Sequence, residues 1–474
     1  MATRVEKDSL GEMQVPADAL YGAQTARAIA NFPISGLRPH PTFVWATVEV
    51  KRAAAVVNRA LGDLPPGTAD AIVRACDEVL AGEHRDQFVV DVFQAGAGTS
   101  HNMNTNEVIA NRAAELLGGR RGDKGLVHPN DHVNRGQSTN DVIPTAIRLC
   151  SLRQLRDLDA ALARLADAFA AKGREFAGVL KSGRTHLQDA VPMRLGSELA
   201  AWARSVANSR ARLDACVPQL AELGIGGNAI GSGVNTPPEF ARRVSAELAA
   251  HTGLPVQSSP NLYERCQSTA DFAQLSGSLR TLALELTRIV NDIRLLASGP
   301  ATGIGEILLP PVQPGSSIMP GKVNPVMAEM LNMVCYHVIG ADACVAMATQ
   351  AGQLELNVMM PVIAHNLNTS LSYLTNAVSV FVTRCVELEW VDRGPHGEEI
   401  ARHGLAADTE ACAHFIERST GLATLLNPAI GYDAAADVMK QARREKRSVR
   451  EVVVDRGLMT AADFDALLER SVER

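Results

Sequence analysis

Residues 262–296 run without a proline and place Cys266, Ala270, Ala273, Leu279, Leu282, Leu286, Ile289, Ile293 and Leu296 at helical spacing. That spacing lays one apolar stripe along an α-helix, and at 1.5 Å per residue it predicts a single helix roughly 50 Å long. The habit recurs in Leu152, Leu155, Leu158, Leu162, Leu165 and Phe169, and again from Leu195 to Leu223. Two further proline-free stretches run from Val326 to Glu355 and from Val362 to Trp390. Five such helices bury their stripes against one another, so the fold class expected is mainly α, a long central helical bundle with smaller N- and C-terminal domains. An aromatic share of only 4% agrees with close helix packing. Ala377–Val382 is apolar almost all round and needs partners on several sides, which implies bundles from several copies packed together.

The organisation expected is a mixed, mostly helical domain over 1–140, the long-helix bundle over 141–392 and a small helical domain over 393–474. Helical periodicity appears from Val48 to Leu61 and from Ala69 to Leu80. Gly96–Asn106 is so polar and glycine-rich that it reads as a loop feeding a helix that starts near Asn104. Arg393-Gly394-Pro395-His396-Gly397 reads as the last boundary, and the basic run Lys440–Arg447 beyond it as a solvated helix face. A net charge of −6 argues against a nucleic-acid surface, so an anionic substrate has to be drawn in by local groups. The eight cysteines are scattered without a Cys-x-x-Cys pair and read as reduced, buried thiols. With a charged N-terminus and no uninterrupted apolar run of about 18 residues, neither leader nor membrane span is expected, and a cytoplasmic location fits.

Chemistry concentrates in Gln313-Pro314-Gly315-Ser316-Ser317-Ile318-Met319-Pro320-Gly321-Lys322-Val323-Asn324-Pro325. Its prolines and glycines exclude a helix interior, and an extended loop of this length inside a compact domain is commonly a lid or binding loop. A phosphate-binding P-loop is excluded, because five residues separate Gly315 from Gly321 and Val323 follows the lysine. A dinucleotide fingerprint at Gly224-Ile225-Gly226-Gly227-Asn228-Ala229 lacks the preceding strand and reads as a turn between helices. A metal site on His128 and His132 is disfavoured by Pro129 and Asn130 between them. No cofactor is expected, although activation by a divalent cation is not readable from sequence.

The proline-glycine loop, with Gly96–Glu107, His128–Asn134 running on to Gln137–Asp141, and Ser182–Pro192, resembles the motif set of the fumarase/aspartase superfamily in the same order. The likeness runs from Val15-Pro16-Ala17-Asp18 to Gly431-Tyr432. It implies elimination of ammonia or water from a small dicarboxylate by a homotetramer with shared active sites. Ser316 is similar to the family's catalytic base; the alternative is that Ser316 and Ser317 only satisfy turn amides. Lys322 and Asn324 match positions that grip a substrate carboxylate, with Ser317 a further contact. Thr185 and His186 match substrate contacts, and Thr99, Ser138, Thr139 and Asn140 match substrate-binding hydroxyls and amide. Ser138 also suits a helix N-cap. Glu329 matches an acid that affects catalysis, through His186 in the reading adopted here, or is an exposed helix carboxylate. His128–Asp131 resembles a second anion site. Ala97, Thr139, Tyr21-Gly22 and Ala351–Val358 resemble the branch that deaminates aspartate, whereas Met360 replaces the Glu common there before Pro361, and Ala301 departs from the family's usual Arg after Ser298-Gly299-Pro300. The hydratase branch is the alternative, and a non-catalytic structural relative is the third possibility.

Overall fold

The computed structural model describes residues 2–394 and 396–472. It is mainly α, as the periodicity predicts; every sheet among the described residues has only two strands. The long helices are α1 (Pro41–Leu61), α2 (Pro66–Leu80), α3 (Thr99–Leu116), α4 (Thr139–Glu175), α5 (Leu195–Asp214), α6 (Phe240–Thr252), α7 (Ala270–Leu296), α8 (Val326–Gln350) and α9 (Met360–Phe381). The chain gathers into two compact units: Met1–Asp159 with Ala211–Ala283 and Tyr336–Thr375, and Ala160–Arg210 with Leu284–Cys335 and Asn376–Arg474.

In the first unit α1, α2 and α3 bury Val48, Ile72, Cys76, Val79, Phe88, Val108 and Ile109 in one core. Helix α1 starts where His40 Nδ1 accepts the Thr42 amide, has Pro41 in its first turn and stops at Gly62 in the left-handed region. Also in this unit, α4 meets α7 through Arg148 and Asp271 and meets α9 through Gln154 Nε2 and the Asn368 carbonyl. Helix α7 reaches α8 through Arg280 and Asp342.

In the second unit Phe169 of α4 packs edge-on against Trp202 of α5 and against Phe381 of α9. Asn332 of α8 donates to Asn291 of α7. A separate C-terminal core forms from Ile416, Leu422, Leu426, Val438, Val452, Val453 and Phe464. Each unit therefore contains part of the helical bundle.

One side of α8 remains uncovered on the single chain. Met333, Tyr336, Gly340, Ala343, Met347 and Gln350 are all exposed, and their alternating steps of three and four residues trace a coiled-coil seam. By length and composition α8 would also suffice to cross a bilayer. Its apolar residues are divided between a buried face and this ridge.

Several boundaries differ from expectation for local reasons. The stretch expected as one helix from Leu262 to Leu296 is two, Leu262–Gln267 and α7. Ser268 is extended between them and its Oγ accepts the Ala270 amide, while Thr269 Oγ1 receives a bond from Asn357. A serine cap breaks this helix where no proline does. Helix α8 ends at Gln350 rather than Glu355, and α9 ends at Phe381, running into a π-helical turn at Val382–Val386. The Leu195–Leu223 stretch is α5, a short turn of helix at Val217–Leu220 and a two-residue strand. Beyond α9, Glu389–Arg393 pairs with Glu399–His403, so the Arg393–Gly397 stretch is the turn of a hairpin, Pro395 lying outside the described residues. All eight cysteines are free, and seven of them are buried.

Candidate active site

The proline-glycine loop folds back on itself. The Gly315 amide donates to the Lys322 carbonyl at 2.7 Å, and Asn324 Nδ2 donates to the Gly315 carbonyl at 2.9 Å. A Cβ on residue 315 would lie 2.7 Å from the Asn324 nitrogen and 2.8 Å from the Lys322 oxygen, so closure requires glycine there. Within this closed loop Ser316 Oγ accepts the amides of Ile318 at 3.2 Å and Met319 at 2.9 Å. Two backbone donors satisfy the turn and also favour negative charge on that oxygen, so the structural and the catalytic readings of Ser316 share one geometry. Ser317 and Lys322 are exposed, while Ser316 and Asn324 are half-buried.

Thr185 and His186 occupy a β-hairpin, with β1 (Leu180–Thr185) pairing antiparallel with β2 (Gln188–Arg194). The sequence reading foresaw no hairpin here. Thr185 opposes Gln188, leaving His186 and Leu187 as a two-residue turn with φ of 51° and 61°. Two successive left-handed residues define the type I′ turn, where Asn-Gly is the usual occupant. Non-glycine residues there cost about 1–2 kcal/mol each, and strain of this kind clusters at functional sites. The tip is exposed, with Leu187 67% accessible. The hairpin base is held by buried charge: Glu306, fully enclosed, lies 3.0 Å from Lys181 and 2.9 Å from Arg184. Glu329 sits in the first turn of α8, and among the described residues no ion pair joins it to His186.

The remaining candidates stand at two helix starts in the first unit. Gly96–Gly98 makes a tight turn in which Ala97 (φ 60°) donates its amide to the Val358 carbonyl at 2.7 Å, and Thr99 opens α3. The helix thus begins at Thr99 rather than near Asn104, and Ser100–Glu107 is buried rather than a loop. Polarity misleads here because most of these polar side chains bond inside the protein. Glu107 accepts the amides of Gly22, Gln24 and Thr25 together with the Thr25 hydroxyl, and Asn104 bridges Val89 and Gln87.

Ser138 caps α4: its Oγ accepts the Asn140 amide at 3.2 Å, and its own amide donates to Asp141 at 2.9 Å. Thr139 Oγ1 accepts from Asn102 Nδ2 at 3.1 Å, and Asn140 Nδ2 donates to the Ala229 carbonyl at 2.8 Å. Beneath them lies a buried polar layer absent from the sequence reading. Lys51 donates to Asn134 Oδ1 at 2.8 Å and Gln137 Oε1 at 3.0 Å, and Asn102 and Asn106 donate to the same Asn134 oxygen. Burial brings Lys51 down to about 7 against the pull of Asp141. It pushes Asp141 up to about 7, opposed by the amides of Ser138, Asn228 and Gly226. His101, stacked on Phe43 and bonded to Thr47, is brought down to about 3 by burial and then by the Lys51 charge. The signal that could have found this layer is Lys51 itself, which stands three residues from Val48 and Ala54 and four from Ala55, and so on the apolar stripe of its helix.

The glycine run Gly224–Ala229 also has an internal ligand: the amides of Gly226 and Asn228 hold Asp141 Oδ2 at 3.0 and 2.8 Å. The two histidines weighed as metal ligands spend their Nδ1 atoms as acceptors for backbone amides, His128 for Asn130 and Asp131, His132 for His128.

A family model described as lyase matches residues 11–340, and one described as fumarase C C-terminus matches 422–471. A class II fumarate hydratase of Halobacterium salinarum is 50% identical, the alignment covering 98% of this chain and 96% of that one. An aspartate ammonia-lyase of Bacillus subtilis is 43% identical, covering 98% and 94%. A fumarate lyase:delta crystallin structure from Brucella melitensis bound to cobalt superposes with TM-score 0.92 at 47% identity, over 99% and 98% of the two chains. A class II fumarase from Schistosoma mansoni gives 0.91 at 36%, over 98% of each.

Proposed function

The chain belongs to the fumarase/aspartase superfamily of lyases, and from that premise we propose that it eliminates ammonia from L-aspartate to give fumarate, reversibly. The observation that carries the proposal is the Ser316 oxygen held by two backbone amides, in a loop that also bears Lys322 and Asn324. Ser316 Oγ takes the proton from the carbon next to a carboxylate. The electron pair moves into that carboxylate, returns to form the carbon–carbon double bond, and expels the amine as the C–N bond breaks. Lys322, Asn324 and Ser317 balance the charge that builds on the carboxylate. Thr185, His186, Thr99, Ser138, Thr139 and Asn140 are assigned to the rest of the substrate, fixing it for anti elimination.

Aspartate is favoured over malate by Ala97, Thr139, Tyr21-Gly22 and the Ala351–Val358 stretch, which resemble the ammonia-lyase branch. Fumarate hydration is the second reading, favoured by the 50% identity to the Halobacterium hydratase. We assign the working form to a homotetramer in which more than one copy supplies each site. The support is the exposed heptad ridge of α8, which a single chain leaves uncovered.

Fumarate's ultraviolet absorbance, followed after adding aspartate or malate separately, tests the reading. Absorbance rising with aspartate alone supports ammonia elimination, and rising with malate alone supports the hydratase. No rise with either acid would leave a structural relative.

A further inference from the structure

We propose that the Ser419-Thr420-Gly421 turn is the positioning element for Thr185 and His186, locking the hairpin that carries them while touching nothing that reacts. The inference rests on the reading of His186 as a substrate contact. A type I′ turn filled by His186 and Leu187 persists only where the surrounding structure over-determines it. Both arms of the hairpin meet that requirement. On β1, Lys181 and Arg184 hold Glu306, and the Arg184 guanidinium lies 5.2 Å from the centre of the Phe415 ring. Also on β1, Ser182 Oγ donates to Ser419 Oγ at 3.1 Å.

On β2 the contact is closer to the tip. Asp189 Oδ2 accepts both the amide and the hydroxyl of Thr420 at 3.3 Å, and Ser419 Oγ donates to the Ala190 carbonyl at 3.5 Å. At Gly421 the backbones themselves touch. A Cβ there would lie 2.0 Å from the Ala190 oxygen and 2.6 Å from its carbon. The β2 backbone therefore rests directly on the turn, three residues from Leu187, with no room for a side chain between them. The turn continues into the helix Ala423–Ile430, whose Leu426 is buried in the C-terminal core, and Leu180 of β1 packs against the same core. The exposed tip is thus referred to a rigid body through a few bonds on its second arm, and a displacement of that arm moves His186.

The test is a double-mutant cycle on the purified full chain, using whichever of aspartate or malate the wild type turns over. His186→Ala alone should lower kcat/KM; a value within twofold of wild type sinks the reading of His186 and this proposal with it. Gly421→Ala should lower kcat/KM by roughly tenfold to a hundredfold, the cost of about an ångström of misplacement. Combined with Thr185→Ala and His186→Ala together, it should add no further loss, because its effect passes through those two side chains. Losses that multiply, or a Gly421→Ala enzyme of wild-type activity, overturn the proposal. Should Gly421→Ala fail to assemble, the cycle is run with Thr420→Val, which removes the hydroxyl on Asp189. That variant should lose a few-fold in kcat/KM, and Thr420→Ser should restore it. Equal rates for the two Thr420 variants would count against the turn.

Discussion

Replacing Ser316 by alanine separates chemistry from folding with unusual clarity. A positioned general base contributes about 10²–10⁴-fold to a rate, so kcat should fall by that order. The stability cost should be small. Among the described residues Ser316 Oγ accepts only the Ile318 and Met319 amides, and Ile318 is 84% exposed, so water can replace the hydroxyl at both. A replaced acceptor at a wet site costs at most about 1 kcal/mol. The bonds that close the loop, Gly315 to Lys322 and Asn324 to Gly315, do not involve Oγ and should persist. Gly315→Ala provides the contrast: its Cβ would collide with the Asn324 nitrogen and the Lys322 oxygen, so the loop should open and binding should weaken with the serine still present. Initial rates by fumarate absorbance, with urea unfolding of each variant, read both effects. Ser316→Ala turning over within tenfold of wild type would refute the assignment of the base, and a large loss of stability would refute the account of the loop.

Three further outcomes follow from the same structure. Met333→Glu combined with Met347→Glu should break the proposed homotetramer into smaller species in sedimentation experiments, because the two glutamates place charge on the heptad ridge. Arg148→Met should cost about 3–5 kcal/mol in urea unfolding, since Asp271 stays buried, loses its 2.8 Å partner and is left with Arg265 at the longer distance of 3.4 Å. Asp141→Asn should change the pH dependence of unfolding. Burial raises Asp141 from 3.8 to about 7, so its contribution to stability is fully present below 3.8 and is lost as pH rises through 7. The variant should therefore gain on wild type between pH 4 and 7, and parallel stability curves would contradict the buried carboxylate.

The parts of the fold legible in the sequence are those governed by repetition. The stripes of α4 and α7 follow from helical spacing. The Ser316 loop is legible for the opposite reason, because Pro and Gly forbid regular structure there. What escaped depends on partners far along the chain. The start of α3 reads as a loop because its asparagines are satisfied by residues such as Gln87 and Asn134 rather than by neighbours. The hairpin at Leu180–Arg194 escaped because its tip is His186-Leu187 instead of Asn-Gly, and only tertiary anchors at Glu306 and Ser419–Gly421 make that tolerable. The break at Ser268 shows that a capping serine can end a helix whose apolar stripe continues on both sides.

The uncovered ridge of α8 bears on how the protein reaches its working form. In the proposed homotetramer, a chain that has folded alone still has these six exposed residues to bury against a second copy. Its last step is then a collision, and recovery from denaturant should quicken and improve in yield as the protein is made more concentrated, until competing encounters between half-finished chains consume the gain.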